Sequence, residues 1–253
     1  NATSGRNNDE LLELLRELKR DGIRSFVSLS DLDAKQEFWG EISQLAPEDA
    51  LLATNTSGLH ITDIAKACKH PERFMGQHWL NPPHLLPLCE IIAGEKTSPE
   101  NVQKMRTLVE SLGKQPVVVA DINGFIINRI QFALLREALH IVDIGAATFE
   151  DVDTVLKAGM GLRYAALGPF GVADFGGLDT FDHINSYLNA ELDDSKVGNK
   201  RLHEMVEAGK LGVKSGQGFY DYSGDKADAA SGTGCTLSWP RFYISKNKLA
   251  VWT

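Results

Sequence analysis

The chain has 253 residues, of which 43% are hydrophobic and 24% are charged, and its formal net charge is −8 at pH 7. At about 100–200 residues per domain, this length fits one large globular domain or two small ones. The acidic balance argues against nucleic acid as a partner, because phosphate recognition needs a basic face. No apolar run reaches the roughly 18–20 residues of a membrane span, and the polar start Asn1–Glu10 lacks a signal-peptide core.

The three cysteines, Cys68, Cys89 and Cys235, are widely spaced and include no CxxC pair. An odd count at such spacing is a poor disulfide framework, so we expect reduced thiols in a cytoplasmic protein. The seven histidines show no HxH or HxxxH spacing, and we predict no metal site.

The first half of the chain alternates helix-like and strand-like patterns. A helix with leucines at Leu11–Leu18 comes first, and Asp31 and Ser98 are each placed to cap a later helix. Val117–Val119 is a continuous apolar run, typical of a strand buried on both faces. The alternation predicts an α/β fold with a mainly parallel sheet. In chain order, the predicted elements after the first helix are strand Ile23–Ser28, helix Asp31–Leu45, strand Ala50–Thr54, helix Ile61–Ala67, strands Arg73–Trp79 and Leu86–Ile92, helix Ser98–Leu112 and strand Gln115–Ala120.

After Asp121 the β-branched runs disappear and helical patterns take over. We therefore predict three regions: an α/β domain over 1–121, an all-helical domain over 122–222 and a weakly ordered tail over 223–253. The predicted helices of the second region are Phe125–Ile144, Phe149–Ala158, Val172–Leu192 and Leu202–Ala208.

Four polar residues stand near predicted element ends: Ser57, His78, Glu90 and Asn128. In a parallel sheet, the loops at the carboxyl ends of the strands form the ligand crevice. A carboxylate beside a histidine fixes its tautomer and raises its basicity, so His78 and Glu90 could form an acid–base pair. Asn128 could donate a hydrogen bond to a substrate oxygen across a cleft between the domains.

Each of these four residues could have a structural role instead of a catalytic one. His78 could be a hydrogen-bonded core histidine, and Glu90 could be one partner of a buried ion pair. Ser57 could cap the following helix, and Asn128 could form a solvated polar pair with Arg129.

The sequence contains no GxGxxG, the turn with which a complete dinucleotide-binding half begins. The segment Gly212–Gly218 includes a Lys-Ser pair but lacks the GxxxxGK of a P-loop, and a glycine-rich turn after a helix is the better interpretation.

Taken together, several strings in the chain resemble the L-3-hydroxyacyl-CoA dehydrogenase family. They follow the order and spacing of that family over residues 23–222, about four fifths of the chain. The matching strings are Asn55-Thr56-Ser57, His78-Trp79-Leu80-Asn81-Pro82, Leu88-Cys89-Glu90, Gly124-Phe125-Ile126-Ile127-Asn128-Arg129, Gly168-Pro169-Phe170 and Gly216-Gln217-Gly218-Phe219-Tyr220-Asp221-Tyr222.

This resemblance implies an NAD-binding Rossmann domain followed by a helical domain that forms a homodimer. His78 resembles the acid–base residue that takes the proton of a 3-hydroxyl while hydride passes to the nicotinamide, and Glu90 resembles its orienting partner. Ser57 and Asn128 resemble the groups that hold the substrate oxygen. The family positions that contact NAD are matched by Lys35, Ser57, Asn81 and Lys214.

Three features depart from the family pattern. The first strand, glycine-rich turn and first helix have no counterpart, so we expect a truncated or rearranged chain with a partial Rossmann-type sheet that lacks its first βαβ unit. The missing backbone N–H groups would lower cofactor affinity. Ser30 stands where the family has a Glu near the ribose, and the tail after Tyr222 matches nothing in the family.

The segment Gly161–Ala165 is more similar to relatives that act on free hydroxy acids such as gulonate and carnitine. Arg163 would suit a free carboxylate, although it could equally pair with a neighbouring acid. We therefore expect an NAD-dependent dehydrogenase of an L-3-hydroxyacyl-CoA, of the 3-hydroxybutyryl-CoA type in fatty acid metabolism. The alternatives are a dehydrogenase of a free 3-hydroxy acid, and a non-catalytic dimerising fragment that binds no cofactor.

Overall fold

The computed structural model describes residues 31–226 and two short strands near the end of the chain, Ile244–Ser245 and Lys248–Leu249. The predicted helix over Leu11–Leu18, the strand Ile23–Ser28, Ser30, Cys235 and most of the predicted tail lie outside the described residues. The chain divides into two compact units between Ala133 and Leu134, and each is described by itself.

The first unit is built around a four-stranded sheet with strand order β1-β2-β3-β4. The β1/β2 and β3/β4 pairs are parallel and the β2/β3 pair is antiparallel, which confirms the predicted mainly parallel sheet. The elements are α1 (Leu32–Leu45), β1 (Leu52–Thr54), α2 (Ile61–Ala65), a 3₁₀ turn (Pro71–Arg73), β2 (Phe74–Trp79), β3 (Leu88–Ala93), α3 (Pro99–Ser111), β4 (Gln115–Ala120) and the first turns of α4 (Ile127–Asp143).

Two predicted helix caps are confirmed. The Asp31 carboxylate accepts a hydrogen bond from the Ala34 N–H at 2.8 Å, at the start of α1. The Ser98 hydroxyl accepts one from the Asn101 N–H at 3.2 Å, at the start of α3. Both side chains satisfy a backbone donor that the first turn of a helix otherwise leaves unpaired.

The side chains of β2 and β3 alternate between two apolar clusters, as the period of two residues in a strand requires. Phe74 and Ile92 belong to one cluster, together with Ile61 and Phe125. The neighbouring residues on each strand point to the opposite face, where Met75 joins a second cluster. This alternation places His78 and Glu90 on the face of the first cluster, since each lies an even number of residues from Phe74 and Ile92.

The expectation that β4 is buried on both faces is wrong. Val119 is 4% exposed, but Val117 and Val118 are 39% and 46% exposed. Within the described part of the chain, β4 pairs with β3 alone and forms an edge of the sheet, where side chains of a second neighbouring strand do not cover its apolar run.

The second unit is helical, as predicted, apart from the short antiparallel pair formed by β5 (Ile244–Ser245) and β6 (Lys248–Leu249). The predicted helix over Val172–Leu192 is divided at Gly177, whose φ of 89° lies in a region that other residues rarely adopt. The Tyr220 hydroxyl donates a hydrogen bond to Asp153 at 2.9 Å and so ties the segment before residue 222 to a helix. The helices after α4 are α5 (Phe149–Val155), a π-helical turn (Leu156–Gly161), α6 (Leu162–Ala166), α7 (Pro169–Gly176), α8 (Leu178–Leu188), α9 (Lys200–Glu207) and a 3₁₀ turn (Val213–Ser215).

Across the described ranges, every helix is too short or too polar to cross a bilayer. The same ranges contain no group of three or more His, Cys, Asp or Glu side chains arranged to hold a metal ion.

Candidate active site

A buried histidine–carboxylate pair lies at the centre of the candidate site. The antiparallel register of β2 and β3 sets His78 directly opposite Glu90, and His78 Nδ1 lies 2.8 Å from Glu90 Oε2. The two residues are 5% and 1% exposed. A carboxylate at Nδ1 keeps the proton on that nitrogen, so the lone pair of Nε2 is available to accept a proton.

The second oxygen of Glu90 holds the beginning of α4. Glu90 Oε1 accepts hydrogen bonds from the backbone N–H groups of Ile126 and Ile127, each at 3.0 Å. Burial by itself raises the pKa of the Glu90 carboxyl. The hydrogen bonds from His78 and from these two N–H groups outweigh burial and bring the pKa below its usual value. Glu90 therefore stays ionised and can stabilise a protonated His78.

The remaining two members of the predicted constellation contact each other. The Asn128 amide donates a hydrogen bond to the Ser57 backbone carbonyl at 2.7 Å. Ser57 lies in the loop after β1, and its exposed hydroxyl makes no hydrogen bond to any of the described residues. Because Asn128 directly follows Ile127, one continuous set of contacts joins all four predicted residues within the first unit.

Two of the alternative structural roles, those of Ser57 and Arg163, are not observed. Ser57 does not cap α2, since the N-cap residue is His60 and the N–H groups of Ile61 and Thr62 donate hydrogen bonds to the Asp121 carboxylate instead. Arg163 lies exposed on α6 and forms no ion pair with a described residue.

The four residues predicted to contact NAD are distributed over both units. Lys35 on α1 is 2% exposed, and its ammonium lies 3.4 Å from the Thr54 hydroxyl at the end of β1. Burial lowers the pKa of Lys35, and the opposing effect of Asp31 is smaller. Ser57 lies in the loop after β1, and Asn81 is exposed shortly after β2.

Lys214 belongs to the exposed 3₁₀ turn of the second unit. A buried ammonium with one long hydrogen bond among the described residues is a donor that a polar cofactor could satisfy. The environment of Lys35 therefore fits the predicted cofactor contact.

The structure adds two residues near the site for which the sequence predicts no role in it. Phe125 is 1% exposed, has a φ of 50°, and places its ring 5.4 Å from the ring of His78. Asp121 ends the first predicted region, and its carboxylate accepts two hydrogen bonds from α2. The sequence signal for a tight turn here is the Gly124-Phe125 pair, in which a glycine precedes a large apolar residue at a predicted boundary.

Comparison with known proteins identifies the family. Residues 28–122 match the model of the 3-hydroxyacyl-CoA dehydrogenase NAD-binding domain, and residues 124–222 match the model of its C-terminal domain. A 5-formyl-3-hydroxy-2-methylpyridine 4-carboxylate 5-dehydrogenase from Mesorhizobium japonicum is 40% identical over 79% of this chain and 65% of its own length. A probable 3-hydroxybutyryl-CoA dehydrogenase from Bacillus subtilis is 40% identical over 76% of this chain and 66% of its own length.

Solved structures agree with this family. The crystal structure of a 5-formyl-3-hydroxy-2-methylpyridine 4-carboxylic acid 5-dehydrogenase, described as an NAD⁺-dependent dismutase, matches with a TM-score of 0.78 and 38% identity over 81% of this chain and 67% of that chain. The 3-hydroxybutyryl-CoA dehydrogenase of Escherichia coli K12 matches with a TM-score of 0.62 and 32% identity over 78% of this chain and 42% of that chain. The chain thus spans about two thirds of the length of the first curated relatives that it matches. With both family domains matched in order along the sequence, the chain belongs to the 3-hydroxyacyl-CoA dehydrogenase family.

Proposed function

We propose that the protein is an NAD-dependent dehydrogenase that interconverts an L-3-hydroxyacyl-CoA and the corresponding 3-ketoacyl-CoA. The observation that carries this proposal is the buried His78–Glu90 pair, joined through the start of α4 to Asn128 and Ser57. Relatives named 3-hydroxybutyryl-CoA dehydrogenase, 36–40% identical to this chain, support the same class of substrate.

In the oxidative direction, His78 Nε2 accepts the proton of the substrate 3-hydroxyl as the carbonyl forms. Glu90 keeps the imidazole in the required tautomer and stabilises the imidazolium. The Ser57 hydroxyl and the Asn128 amide hold the substrate oxygen, so that the proton is close to Nε2. A bound NAD⁺ would supply the acceptor for the hydride of the carbon that bears the hydroxyl. Lys35, Ser57, Asn81 and Lys214 are the residues that we assign to cofactor binding.

The test is oxidation of NADH by the full-length protein with acetoacetyl-CoA as substrate. We expect His78→Ala to lower kcat by about 10²–10⁴-fold, the usual contribution of general acid–base catalysis. His203→Ala is the matched control, since the side chain of His203 is 72% exposed in the second unit, and its kcat should stay within about twofold of wild type. Absence of turnover in the wild type, or turnover that survives His78→Ala, would refute the proposal.

A second candidate substrate is a free carboxylic acid. Arg163 is exposed and has no ion pair within the described residues, so its guanidinium is available to a carboxylate. The Mesorhizobium japonicum relative is named for a pyridine carboxylate. Comparing free hydroxy acids with CoA thioesters decides between the two: Arg163→Ala should raise KM for a free acid by at least about tenfold if the arginine binds it.

We also propose a homodimer formed through the second unit. Large apolar side chains are widely exposed there, including Phe170 at 86% and Phe175 at 83%, whereas Leu139 and Val172 are the buried apolar residues described in this unit. A second copy would remove such surface from water. Light scattering coupled to gel filtration should give a dimer mass, and Phe170→Glu with Phe175→Glu should shift it toward monomer. A wild-type monomer at micromolar concentration would exclude the dimer.

A further inference from the structure

Asp121 makes a bidentate contact that the proposed mechanism does not use. It directly follows β4, and its side chain is 8% exposed. Asp121 Oδ1 accepts a hydrogen bond from the Ile61 N–H at 2.9 Å, and Oδ2 accepts one from the Thr62 N–H at 2.7 Å. Charge-assisted hydrogen bonds to the first N–H groups of a helix are the strong kind, because the carboxylate also faces the positive end of the helix.

Helix α2 depends on this contact for its N-terminal hydrogen bonds. The helix has five residues, and the side chain of its own N-cap residue, His60, accepts no hydrogen bond from the N–H groups of the helix. Ile61 and Ile64 are fully buried in the first apolar cluster and hold one side of the helix. Asp121 holds the end of the helix that faces the preceding loop.

That preceding loop, residues 55–60, carries Ser57 and is held at two further points. The Asn55 side chain accepts a hydrogen bond from the Trp79 N–H at 3.3 Å, directly beside His78. The Asn128 amide binds the Ser57 carbonyl at 2.7 Å. The loop is therefore fixed near its start by β2, in its middle by α4 and at its end by Asp121.

We propose that Asp121 is a positioning residue for the reaction: through the N-terminus of α2, it sets the place of the Ser57 hydroxyl relative to the His78–Glu90 pair. Asp121 and Asn128 are seven residues apart in one short connection, which also presents the N–H groups of Ile126 and Ile127 to Glu90. One segment thus determines the positions of both the acid–base pair and the loop that holds the substrate oxygen. This inference rests on the proposed function.

The first test measures the loop directly and needs no activity. Asp121→Asn keeps the shape of the side chain but leaves an amide donor facing a backbone N–H. Hydrogen–deuterium exchange in the full-length protein should then accelerate about tenfold or more in peptides that cover residues 55–62. Ser98→Ala is the control, because it removes the cap of α3 and should leave exchange in that segment unchanged. Unchanged exchange in Asp121→Asn would overturn the proposal.

The second test is a double-mutant cycle with Ser57. We expect Asp121→Asn to lower kcat with acetoacetyl-CoA about tenfold in the wild-type background and less than about twofold in a Ser57→Ala background. The control variant Ser98→Ala should leave kcat unchanged. Equal effects of Asp121→Asn in both backgrounds would show a general structural role and overturn the proposal.

If Asp121→Asn does not fold, Asp121→Glu replaces it, with smaller effects of the same sign expected in both tests. A wild-type protein without turnover would refute the proposed function, whereas the exchange experiment would still decide whether Asp121 holds the loop.

Discussion

Replacing Glu90 by glutamine should keep its contact with the start of α4 and change its contact with His78. The amide oxygen of the new side chain can still accept hydrogen bonds from the N–H groups of Ile126 and Ile127, whose nitrogens lie 3.0 Å from Glu90 Oε1. The amide nitrogen then faces His78 Nδ1, 2.8 Å from the position of Oε2, and donates to it. The imidazole must carry its proton on Nε2, so it cannot accept one from the substrate.

The size of the effect follows from these contacts. In a Ser-His-Asp triad, the equivalent change to the wrong tautomer costs about 10⁴-fold. For Glu90→Gln we expect kcat to fall by about 10²–10⁴-fold, or roughly 3–5 kcal/mol of transition-state stabilisation. The free energy of unfolding should fall by only about 1–2 kcal/mol, because the helix contacts remain. Glu90→Ala loses all three hydrogen bonds in a site that is 1% exposed, and its stability should fall by about 3–5 kcal/mol.

Both quantities can be measured on the full-length protein, kcat from NADH absorbance with acetoacetyl-CoA and stability from urea unfolding. Glu110→Gln is the matched control, since Glu110 is about half exposed on α3 and pairs with Arg106. Its kcat should stay within about twofold of wild type. A kcat of Glu90→Gln within about threefold of wild type, or a loss of stability as large as that of Glu90→Ala, would refute these roles of Glu90.

Three further predictions concern stability and reactivity. The pKa of Glu90 lies below its usual value of 4.5, so the ionised carboxylate stabilises the folded protein above that pH, and this stability is lost as the pH falls through the folded-state pKa. Below about pH 4.5, the free energy of unfolding in urea should therefore fall more steeply with pH in the wild type than in Glu90→Gln. Parallel pH dependences in the two proteins would contradict this. Gly76→Ala should lower the free energy of unfolding by about 1–3 kcal/mol, because the added Cβ would lie 2.8 Å from the Ile61 side chain. Gly198→Ala is the control, since the space around Gly198 is open, and its free energy of unfolding should stay within about 0.5 kcal/mol of the wild-type value. Burial raises the pKa of the Cys89 thiol to about 12, so iodoacetamide should label Cys89 in urea and leave it unmodified in the native protein, as mass spectrometry of its peptide can check.

Most elements of the first unit could be predicted from local patterns. The limits of β4 agree with the prediction, and Asp31 and Ser98 cap the helices that they were expected to cap. These features depend on neighbouring residues, since a cap or a strand pattern is decided within one or two turns of chain. The division of Val172–Leu192 at Gly177 was missed, because a single glycine inside an apolar helical pattern is an ambiguous signal.

The candidate site was predicted in its members but not in its connections. His78 and Glu90 could be named as a possible pair, but their contact depends on the β2/β3 register, and a shift of one residue would turn one of the side chains to the other face. The exposure of Val117 and Val118 likewise depends on which strand lies beside β4.

By itself, the sequence determined the types of elements, their order and the residues with the required chemistry, because these depend on side-chain character and short-range spacing. Only the tertiary structure decided which residues share a contact. It joined Glu90 to the start of α4, 36 residues away, and Asp121 to α2, 60 residues away. Such contacts form when distant segments bury apolar surface together, and local propensity does not report which backbone donors then meet a carboxylate.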